Sequence, residues 1–106
     1  MYRIRKRIEI SASHMLETSS ASACNNLHGH NWIITVYCER EELDDFGMVI
    51  DYKDITYKIE QVLDHRNLND VLECNPTAEN IAKWVVDKIP YCYRADVEEC
   101  ENSWAS

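Results

Sequence analysis

Polar and apolar positions alternate along the start of the chain, in YRIRKRIEISASH (2–14). A period of two is typical of a β-strand with one buried face. Lys6 interrupts the apolar parity, whose other members are Tyr2, Ile4, Ile8, Ile10, Ala12 and His14. The pattern predicts a strand over residues 2–14, with His14 on its buried face and the arginines together on the other.

A second apolar run follows a long polar segment. HNWIITVYCER (30–40) is rich in β-branched and aromatic residues and is apolar on both faces. This predicts a strand covered on both sides, by helices on one and by another subunit on the other. The intervening MLETSSASACNN (15–26) shows no periodicity and predicts a loop. Loops of about a dozen residues within a compact domain are often functional.

Two later segments place apolar residues three or four positions apart, which predicts helices. The first is YKDITYKIEQVLD (52–64), and the second lies within NPTAENIAKWVVDKIP (75–90). In the second, Thr77 is the predicted N-cap and Glu79 lies in the first turn, where the helix dipole favours an anion. Pro90 is expected to end the helix.

The order of the elements indicates one α+β domain over residues 1–106, an antiparallel sheet with the two helices on one face. Residues 65–75 show an irregular pattern, a short strand is expected near 46–50, and a final strand is expected in 91–106. A chain of this size cannot bury both faces of such a sheet. We therefore expect the uncovered face to be buried in a homo-oligomer.

Composition excludes several classes of partner. Lys and Arg total 11 against 19 Asp and Glu, a formal net charge of −8, which argues against nucleic-acid binding because that needs a basic surface. No apolar run approaches the roughly 20 residues that span a bilayer, and the first residues lack the apolar region of a signal peptide. We therefore expect no membrane association and a cytoplasmic location. The cysteines are odd in number and lack a CxxC pair, which predicts reduced thiols.

The segment CNNLHGHNW (24–32) concentrates the residues that bind metals. On an extended chain His28 and His30 point to the same side, so their imidazoles can share one metal ion. Catalytic zinc takes three protein ligands and keeps one position open. His14, at the end of the first strand, is the candidate third ligand. By itself, His14 also fits a hydrogen-bonded core histidine.

Two further groups are candidates for proton transfer. A nearby cation lowers the pKa of a thiol and makes it a base or a nucleophile, which singles out Cys24. Asp64 directly precedes His65, and a carboxylate beside an imidazole fixes its tautomer and raises its basicity. The helix dipole alone would also favour His65 near the end of the first helix, so both interpretations stay open.

Six segments, taken in order, resemble the 6-pyruvoyltetrahydropterin synthase family. They extend from about residue 8 to residue 105: SASH, CNNLHGHNW, GMVIDYKDI, LDHRNLND, PTAEN and EECENSWA. The short spacer between Cys24 and HGH is like that of the bacterial 6-carboxy-5,6,7,8-tetrahydropterin synthases of queuosine (7-deazaguanine) biosynthesis, whereas the pyruvoyl enzymes usually have a longer one. A related group that releases 6-hydroxymethyldihydropterin has a glutamate near the cysteine position, and none occurs between Ala21 and His28.

The resemblance implies the tunnelling fold (T-fold), in which the sheets of three subunits join into a β-barrel. Two trimers would stack into a homohexamer with active sites at subunit interfaces. The implied activity is that of a zinc-dependent lyase that converts 7,8-dihydroneopterin 3'-triphosphate to 6-carboxy-5,6,7,8-tetrahydropterin, acetaldehyde and triphosphate. One rival is a 6-pyruvoyltetrahydropterin synthase, which eliminates triphosphate in a tetrahydrobiopterin-type pathway. The other is a non-catalytic structural zinc domain.

The resemblance also implies a catalytic role for each candidate residue. The zinc ligands would be His14, His28 and His30. Cys24 would be the general base that removes a proton from the substrate side chain. Asp64 and His65 would relay protons at a site whose zinc belongs to another protomer.

Pterin recognition is implied at the end of the chain. Glu99 would anchor the ring by accepting two hydrogen bonds from its amino group and ring N–H. Parity lets only one of Glu98 and Glu99 point inward, and we favour Glu99. Thr77 would contact the ring as well, although its N-cap role is a sufficient explanation. Asp51 and Glu79 are expected to be structural.

Overall fold

The computed structural model describes residues 1–17, 26–100 and 103–106, and within these ranges the chain forms five strands and three helices. The elements are β1 (Tyr2–His14), β2 (His28–Arg40), α1 (Tyr52–Leu63), β3 (Arg66–Asn67), α2 (Leu68–Val71), α3 (Ala78–Lys88), β4 (Cys92–Cys100) and β5 (Ser103–Ala105). The strands form one sheet in the order β3-β1-β2-β4-β5, antiparallel except between β1 and β3. The predicted α+β class is confirmed.

The strands β1 and β2 form a hairpin that is paired along its whole length. Tyr2 lies opposite Arg40 at one end, and His14 lies opposite His28 at the other. The predicted first strand is confirmed. The second begins two residues before its predicted start at His30, because the HGH segment continues the pairing with the end of β1.

The core lies between the helices and one face of the sheet. It consists of alternate strand residues and of helix residues spaced three or four apart. The main members are Ile8, Ile10, Trp32, Ile34, Val36, Ile55, Ile59, Leu63, Ile81, Val85, Ala95 and Val97. Burial of a side chain of this size contributes roughly 1.5–3 kcal/mol. The apolar residues that alternate along the strands therefore pack against those spaced three or four apart along the helices, on one face of the sheet.

The stretch between β2 and α1 differs from its prediction. A short strand was expected at 46–50, and the structure has a turn there instead. The side chain of Asp44 accepts hydrogen bonds from the N–H groups of Phe46 and Met48 at 2.9 and 3.0 Å. Gly47 has a φ of +79°, which glycine adopts without strain. Local hydrogen bonding to Asp44 therefore prevails over the weak strand signal.

Two regions contain more elements than the sequence predicted: the segment after α1 and the end of the chain. Residues 65–75 were predicted to be irregular, and they contain β3 and α2. The side chain of Asn67 caps α2 by accepting from Asn69 N–H at 3.1 Å. With four residues, α2 is too short to give a periodic signal in the sequence. The sequence therefore predicted two helices, whereas the described residues form three. The predicted final strand is two strands, β4 and β5, which pair with each other.

The opposite face of the sheet carries mostly polar side chains, together with Ile33 and Tyr37 of β2. Each side of the sheet also has an open edge. β3 pairs only with Ala12 and Ser13, so within the described ranges residues 2–10 of β1 have no strand on the side that faces away from β2. β5 pairs with β4 only from Val97 onward. Within the described ranges, residues 92–96 of β4 therefore have no strand on the side that faces away from β2. In the part of the chain that the structure describes, no helix is long and apolar enough to cross a membrane.

Candidate metal centre

The three candidate histidines meet at the closed end of the β1–β2 hairpin. His14 and His28 are direct cross-strand partners, and His30 follows two positions along β2 on the same face. The ring centroids lie 4.5 Å apart for His14 and His28, 5.1 Å for His14 and His30, and 4.8 Å for His28 and His30. Strand parity thus gathers the three imidazoles at one point.

Two of these rings have their tautomer fixed by a backbone carbonyl. His14 Nδ1 lies 2.8 Å from the carbonyl oxygen of Pro76, and His28 Nδ1 lies 2.7 Å from that of Asn26. Since a carbonyl only accepts, each Nδ1 carries the proton, and the Nε2 of the neutral ring presents a lone pair. Such a partner on the far nitrogen is typical of metal-binding histidines.

The third ring is also suited to binding a cation. Burial lowers the pKa of His30, and the neighbouring His14 and His28 lower it further, against the opposing effect of Glu99. The neutral imidazole is therefore favoured at neutral pH. The Nε2 atoms of His14 and His30 are buried without a hydrogen-bond partner. Leaving such an atom unsatisfied costs about 1–3 kcal/mol, and a metal ion in this position would remove that cost.

Glu99 completes the cluster from β4. Its Oε1 lies 3.0 Å from His30 Nε2 and 3.4 Å from His14 Nε2, and the ligand atoms of the four residues all lie within 4.8 Å of one another. A carboxylate oxygen that faces the lone pair of the His14 ring is unfavourable unless a proton or a metal ion lies between them. Three imidazole nitrogens and one carboxylate oxygen are a donor set that zinc accepts. The residues therefore fit a zinc ion.

Glu99 was expected to anchor a pterin, and the sequence did not suggest that it would lie against the histidines. Its parity with the buried Ala95 and Val97 was the available signal. Glu98 lies opposite Ile33 of β2, with the other parity. The structure therefore agrees with the expectation that Glu99, rather than Glu98, points inward.

Trp32 packs against two of the histidine rings, a contact that the sequence did not predict. It is fully buried, and its Nε1 donates to the carbonyl oxygen of Ala12 at 3.1 Å. Its ring centroid lies 4.9 Å from that of His14 and 5.3 Å from that of His30, both edge-on. The indole thus restricts the orientation of two candidate ligands.

The turn before α3 links the cluster to that helix. Thr77 is the N-cap, as predicted, and its hydroxyl oxygen accepts from Asn80 N–H at 3.1 Å. The residue before it is Pro76, whose carbonyl holds His14. Glu79 is exposed in the first turn of α3. Asp51 caps α1 by accepting from the N–H of Lys53 at 2.9 Å, the structural role expected of it.

Asp64 and His65 lie beside β1 and outside the cluster. Asp64 Oδ1 accepts from Ser11 N–H at 2.9 Å, and His65 N–H donates to the Ser11 carbonyl at 2.7 Å. Asp64 Oδ2 and His65 Nε2 are 3.6 Å apart. His65 has a φ of +57°, and its side chain is 81% exposed. The chain thus presents the imidazole outward.

A groove in front of His65 runs along the end of β1. Its volume is about 480 Å³, and its lining includes Ser11, Ser13, Arg66 and the candidate ligand His30. Ser11 and Ser13 alternate with the buried Ala12 and His14, so they point away from the core. Cys24, the expected general base, lies outside the described residues.

Comparisons with known proteins agree on one family. A family model described as 6-pyruvoyl tetrahydropterin synthase matches residues 3–106. The chain is 28% identical to the 6-carboxy-5,6,7,8-tetrahydropterin synthase of Bacillus subtilis, covering 97% of this chain and 82% of that protein. It is 34% identical to the dihydroneopterin monophosphate aldolase of Pyrococcus furiosus (91% and 82%) and 29% identical to the 6-pyruvoyl tetrahydrobiopterin synthase of Dictyostelium discoideum (95% and 91%).

Solved structures have the same fold. The 6-pyruvoyl tetrahydropterin synthase of Caenorhabditis elegans superposes with a TM-score of 0.76 at 27% identity, over 98% of this chain and 92% of that one. The synthase of Plasmodium vivax gives a TM-score of 0.65 at 14% identity, over 99% and 96%, a likeness of fold alone. The predicted T-fold architecture of the single chain is confirmed.

Proposed function

Since the chain is an enzyme that belongs to the 6-pyruvoyl tetrahydropterin synthase family, we propose that it is a zinc-dependent lyase of queuosine biosynthesis. Its substrates are 7,8-dihydroneopterin 3'-triphosphate and water, and its products are 6-carboxy-5,6,7,8-tetrahydropterin, acetaldehyde and triphosphate. The observation that carries the proposal is the convergence of three imidazoles and one carboxylate. The short spacer between Cys24 and HGH and the likeness to the Bacillus subtilis protein support this particular reaction.

The metal ligands in this proposal are His14, His28 and His30. The carbonyls of Pro76 and Asn26 hold two of the rings with Nε2 directed into the cluster. Zinc, when bound, polarises oxygens of the substrate side chain and acidifies the adjacent C–H and O–H groups, an effect of several kcal/mol on developing negative charge.

Proton transfer is assigned to Cys24 and to the pair of Asp64 and His65. Cys24 removes a proton from the substrate side chain as a thiolate, which a neighbouring cation stabilises. Asp64 is held by the Ser11 N–H, and its second oxygen faces the imidazole of His65. The carboxylate is thereby placed to orient the imidazole for proton transfer. The outward direction of His65 supports its acting on the site of another protomer.

Glu99 and Thr77 are the proposed pterin-binding residues. Glu99 directs its carboxylate toward the core side of the sheet, where it can accept hydrogen bonds from the amino group and ring N–H of a pterin. Its position beside His14 and His30 would place the ring next to the metal ligands. Thr77 keeps its hydroxyl in the cap of α3, so any contact with the ring is made in addition to that role.

We propose a homohexamer of two stacked trimers, in which the sheets of three chains join into a barrel. The two open edges, at residues 2–10 of β1 and 92–96 of β4, support joining edge to edge. Unpaired strand edges favour pairing with another chain. Arg5 and Arg7 of β1 lie on the same face of the sheet as Asp96 of β4 and would be complementary to it across such an edge, although Asp96 also pairs with Arg94 of its own strand.

The decisive experiment is product analysis. The zinc-loaded protein is incubated with 7,8-dihydroneopterin triphosphate, and acetaldehyde, triphosphate and the pterin product are measured together. We expect acetaldehyde and triphosphate in equal amounts with 6-carboxytetrahydropterin. Triphosphate without acetaldehyde would instead identify a pyruvoyl synthase, and the absence of all three products would overturn the proposal.

A second candidate is aldol cleavage of dihydroneopterin monophosphate. The 34% identity to the Pyrococcus furiosus aldolase favours it. The absence of a glutamate between Ala21 and His28 weighs against release of 6-hydroxymethyldihydropterin. Incubation with the monophosphate distinguishes the two reactions, because aldol cleavage would give 6-hydroxymethyldihydropterin and glycolaldehyde phosphate instead of acetaldehyde.

A further inference from the structure

A β-bulge brings two cysteines of neighbouring strands face to face. Tyr37 of β2 lies opposite Arg94 of β4, and the next residue of β2, Cys38, lies opposite Cys92. Tyr93 is therefore the extra residue on β4, and its side chain is exposed. With regular pairing, Tyr93 would lie opposite Cys38 in place of Cys92. A bulge changes the direction of the side chains beyond it, and here the result is a cross-strand pair of thiols.

Backbone hydrogen bonds hold the chain beside this pair. The Glu39 N–H donates to the Tyr91 carbonyl at 3.0 Å, and the Cys92 N–H donates to the Ile89 carbonyl at 3.2 Å. Directly opposed residues of antiparallel strands have Cα atoms about 4.5–5.5 Å apart. A disulfide spans Cα separations of about 4.4–6.8 Å. The usual spacing of opposed residues therefore fits a bond between the two sulfur atoms.

The two thiols differ in their access to solvent. Cys38 is fully buried in the core, whereas Cys92 is partly exposed at the start of β4. The Cys92 Sγ donates to the Arg94 carbonyl at 3.3 Å. Hydrogen bonding by Cys38 lowers the pKa of Cys92 to about 7, and the same contact together with burial raises the pKa of Cys38. A reagent in solution therefore reaches Cys92 first, and the thiolate is its reactive form.

We propose that Cys38 and Cys92 form a redox-modification site, at which a low-molecular-weight disulfide such as oxidised glutathione converts the two thiols to an intrachain disulfide. The Cys92 thiolate attacks one sulfur of the reagent, which forms a mixed disulfide and releases the first thiolate. Cys38 then loses its proton, attacks the Cys92 sulfur and expels the second thiolate. The protein thiols lose two electrons, the reagent gains them, and the two protons end on the released thiols.

The disulfide joins the two ends of the segment that carries α1, α2 and α3. Closing a loop of this kind restricts the unfolded chain and so raises the free energy of unfolding. Cys38 lies opposite Ile4, near the open end of the β1–β2 hairpin, whereas the histidines lie at its closed end. Oxidation should therefore stabilise the fold and leave the zinc content unchanged.

The test incubates the reduced, zinc-loaded protein with oxidised glutathione and maps the disulfides by peptide mass spectrometry. We expect a linkage between Cys38 and Cys92 that dithiothreitol reverses, with a higher urea midpoint and the same zinc content in the oxidised protein. In Cys38→Ala, glutathione should remain attached to Cys92, because the second thiol is missing. In Cys92→Ala, Cys38 should stay reduced, because it is buried. Cys74→Ala, the control at an exposed cysteine, should form the linkage as the wild type does.

The absence of this linkage in the wild type would overturn the proposal, as would a main product that joins Cys92 to a different cysteine. Modification of Cys38 in Cys92→Ala would contradict the order of the two steps. A urea midpoint that does not rise on complete linkage would refute the stabilising effect. These readouts require neither turnover nor a pterin, so they are independent of the proposed function.

Discussion

At the scale of single residues, the position of Glu99 brings two proposed roles together, one in the metal site and one in pterin binding. Its carboxylate is half-buried, and one oxygen contacts two imidazole nitrogens. The proposed pterin anchor therefore also places a carboxylate against the three histidines. A change at this residue should alter the binding of both the metal and the pterin.

We expect Glu99→Gln to weaken zinc binding by about 10- to 100-fold, the usual cost of losing a ligand partner, and to weaken pterin binding as well. Glu98→Gln is the matched control, because Glu98 lies on the other face of β4. Competition with a zinc chelator measures the first effect, and calorimetric titration with a pterin measures the second. Equal effects of the two substitutions would contradict the assigned orientation.

Cys24 allows a clean distinction between an enzyme and a structural zinc domain. Cys24→Ala should abolish turnover and leave zinc content and folding unchanged, because the proposed ligands are histidines. Cys74→Ala, at an exposed cysteine, should keep the activity of the wild type. Zinc analysis, circular dichroism and the acetaldehyde assay check the three quantities. Loss of zinc in Cys24→Ala would show that the thiol is a ligand instead.

Residues differ in how far the sequence could predict them. The convergence of His14, His28 and His30 follows from parity once two strands are assumed to pair. The support from Trp32 and from the Pro76 carbonyl could not be predicted, because it depends on contacts made across the folded chain. Glu99 was identified correctly as inward-facing, whereas its contact with the histidines arises from the pairing of β4 with β2.

At the scale of elements, the helix caps can be tested independently of catalysis. Thr77→Ala should lower the free energy of unfolding by about 1 kcal/mol, since the Asn80 N–H loses its partner. Thr77→Ser keeps the hydroxyl and should unfold like the wild type. Chemical denaturation measures both. A rise in KM for the pterin in the alanine variant, beyond the change in stability, would indicate that the hydroxyl also contacts the ring.

The strands β2 and β4 carry a facing pair of thiols, Cys38 and Cys92. A hydrogen bond from Cys38 lowers the pKa of Cys92 to about 7, and the same contact together with burial raises the pKa of Cys38. The rate of alkylation of Cys92 should therefore rise with pH to a midpoint near 7, because the thiolate is the reactive form. In Cys38→Ala the midpoint should move upward. An unchanged midpoint would show that the contact does not set the reactivity.

The short elements are the ones that the pattern of polar and apolar residues did not predict. Long periodic segments such as β1 and α3 were predicted correctly. The four residues of α2 and the two of β3 were not, because their structure depends on capping by Asn67 and on pairing with β1. The side-chain amide of Asn69 in α2 in turn accepts from the Met15 N–H at 2.7 Å and donates to the Met15 carbonyl at 2.8 Å.

At the scale of the whole molecule, the open strand edges determine the expected assembly. Replacing Arg5 and Arg7 by Asp would place like charges opposite Asp96 of β4 in a neighbouring chain. We expect the double variant to sediment as a smaller species than the wild type and to lose activity, since Asp64 and His65 are proposed to serve another protomer. Lys53→Asp with Lys58→Asp, on the exposed side of α1, is the charge-matched control. A variant that remains fully assembled would refute the edge-to-edge arrangement.

The continuous pairing of β1 with β2 has a consequence for how such chains can diverge. Each strand has 13 residues, and the histidines lie at the closed end of the hairpin. Deleting or inserting one residue within either strand would turn every side chain beyond that point to the opposite face. His14, for example, would be exchanged for Ser13 or Met15. Viable insertions and deletions are therefore confined to the connections, and the strands can change only by substitution.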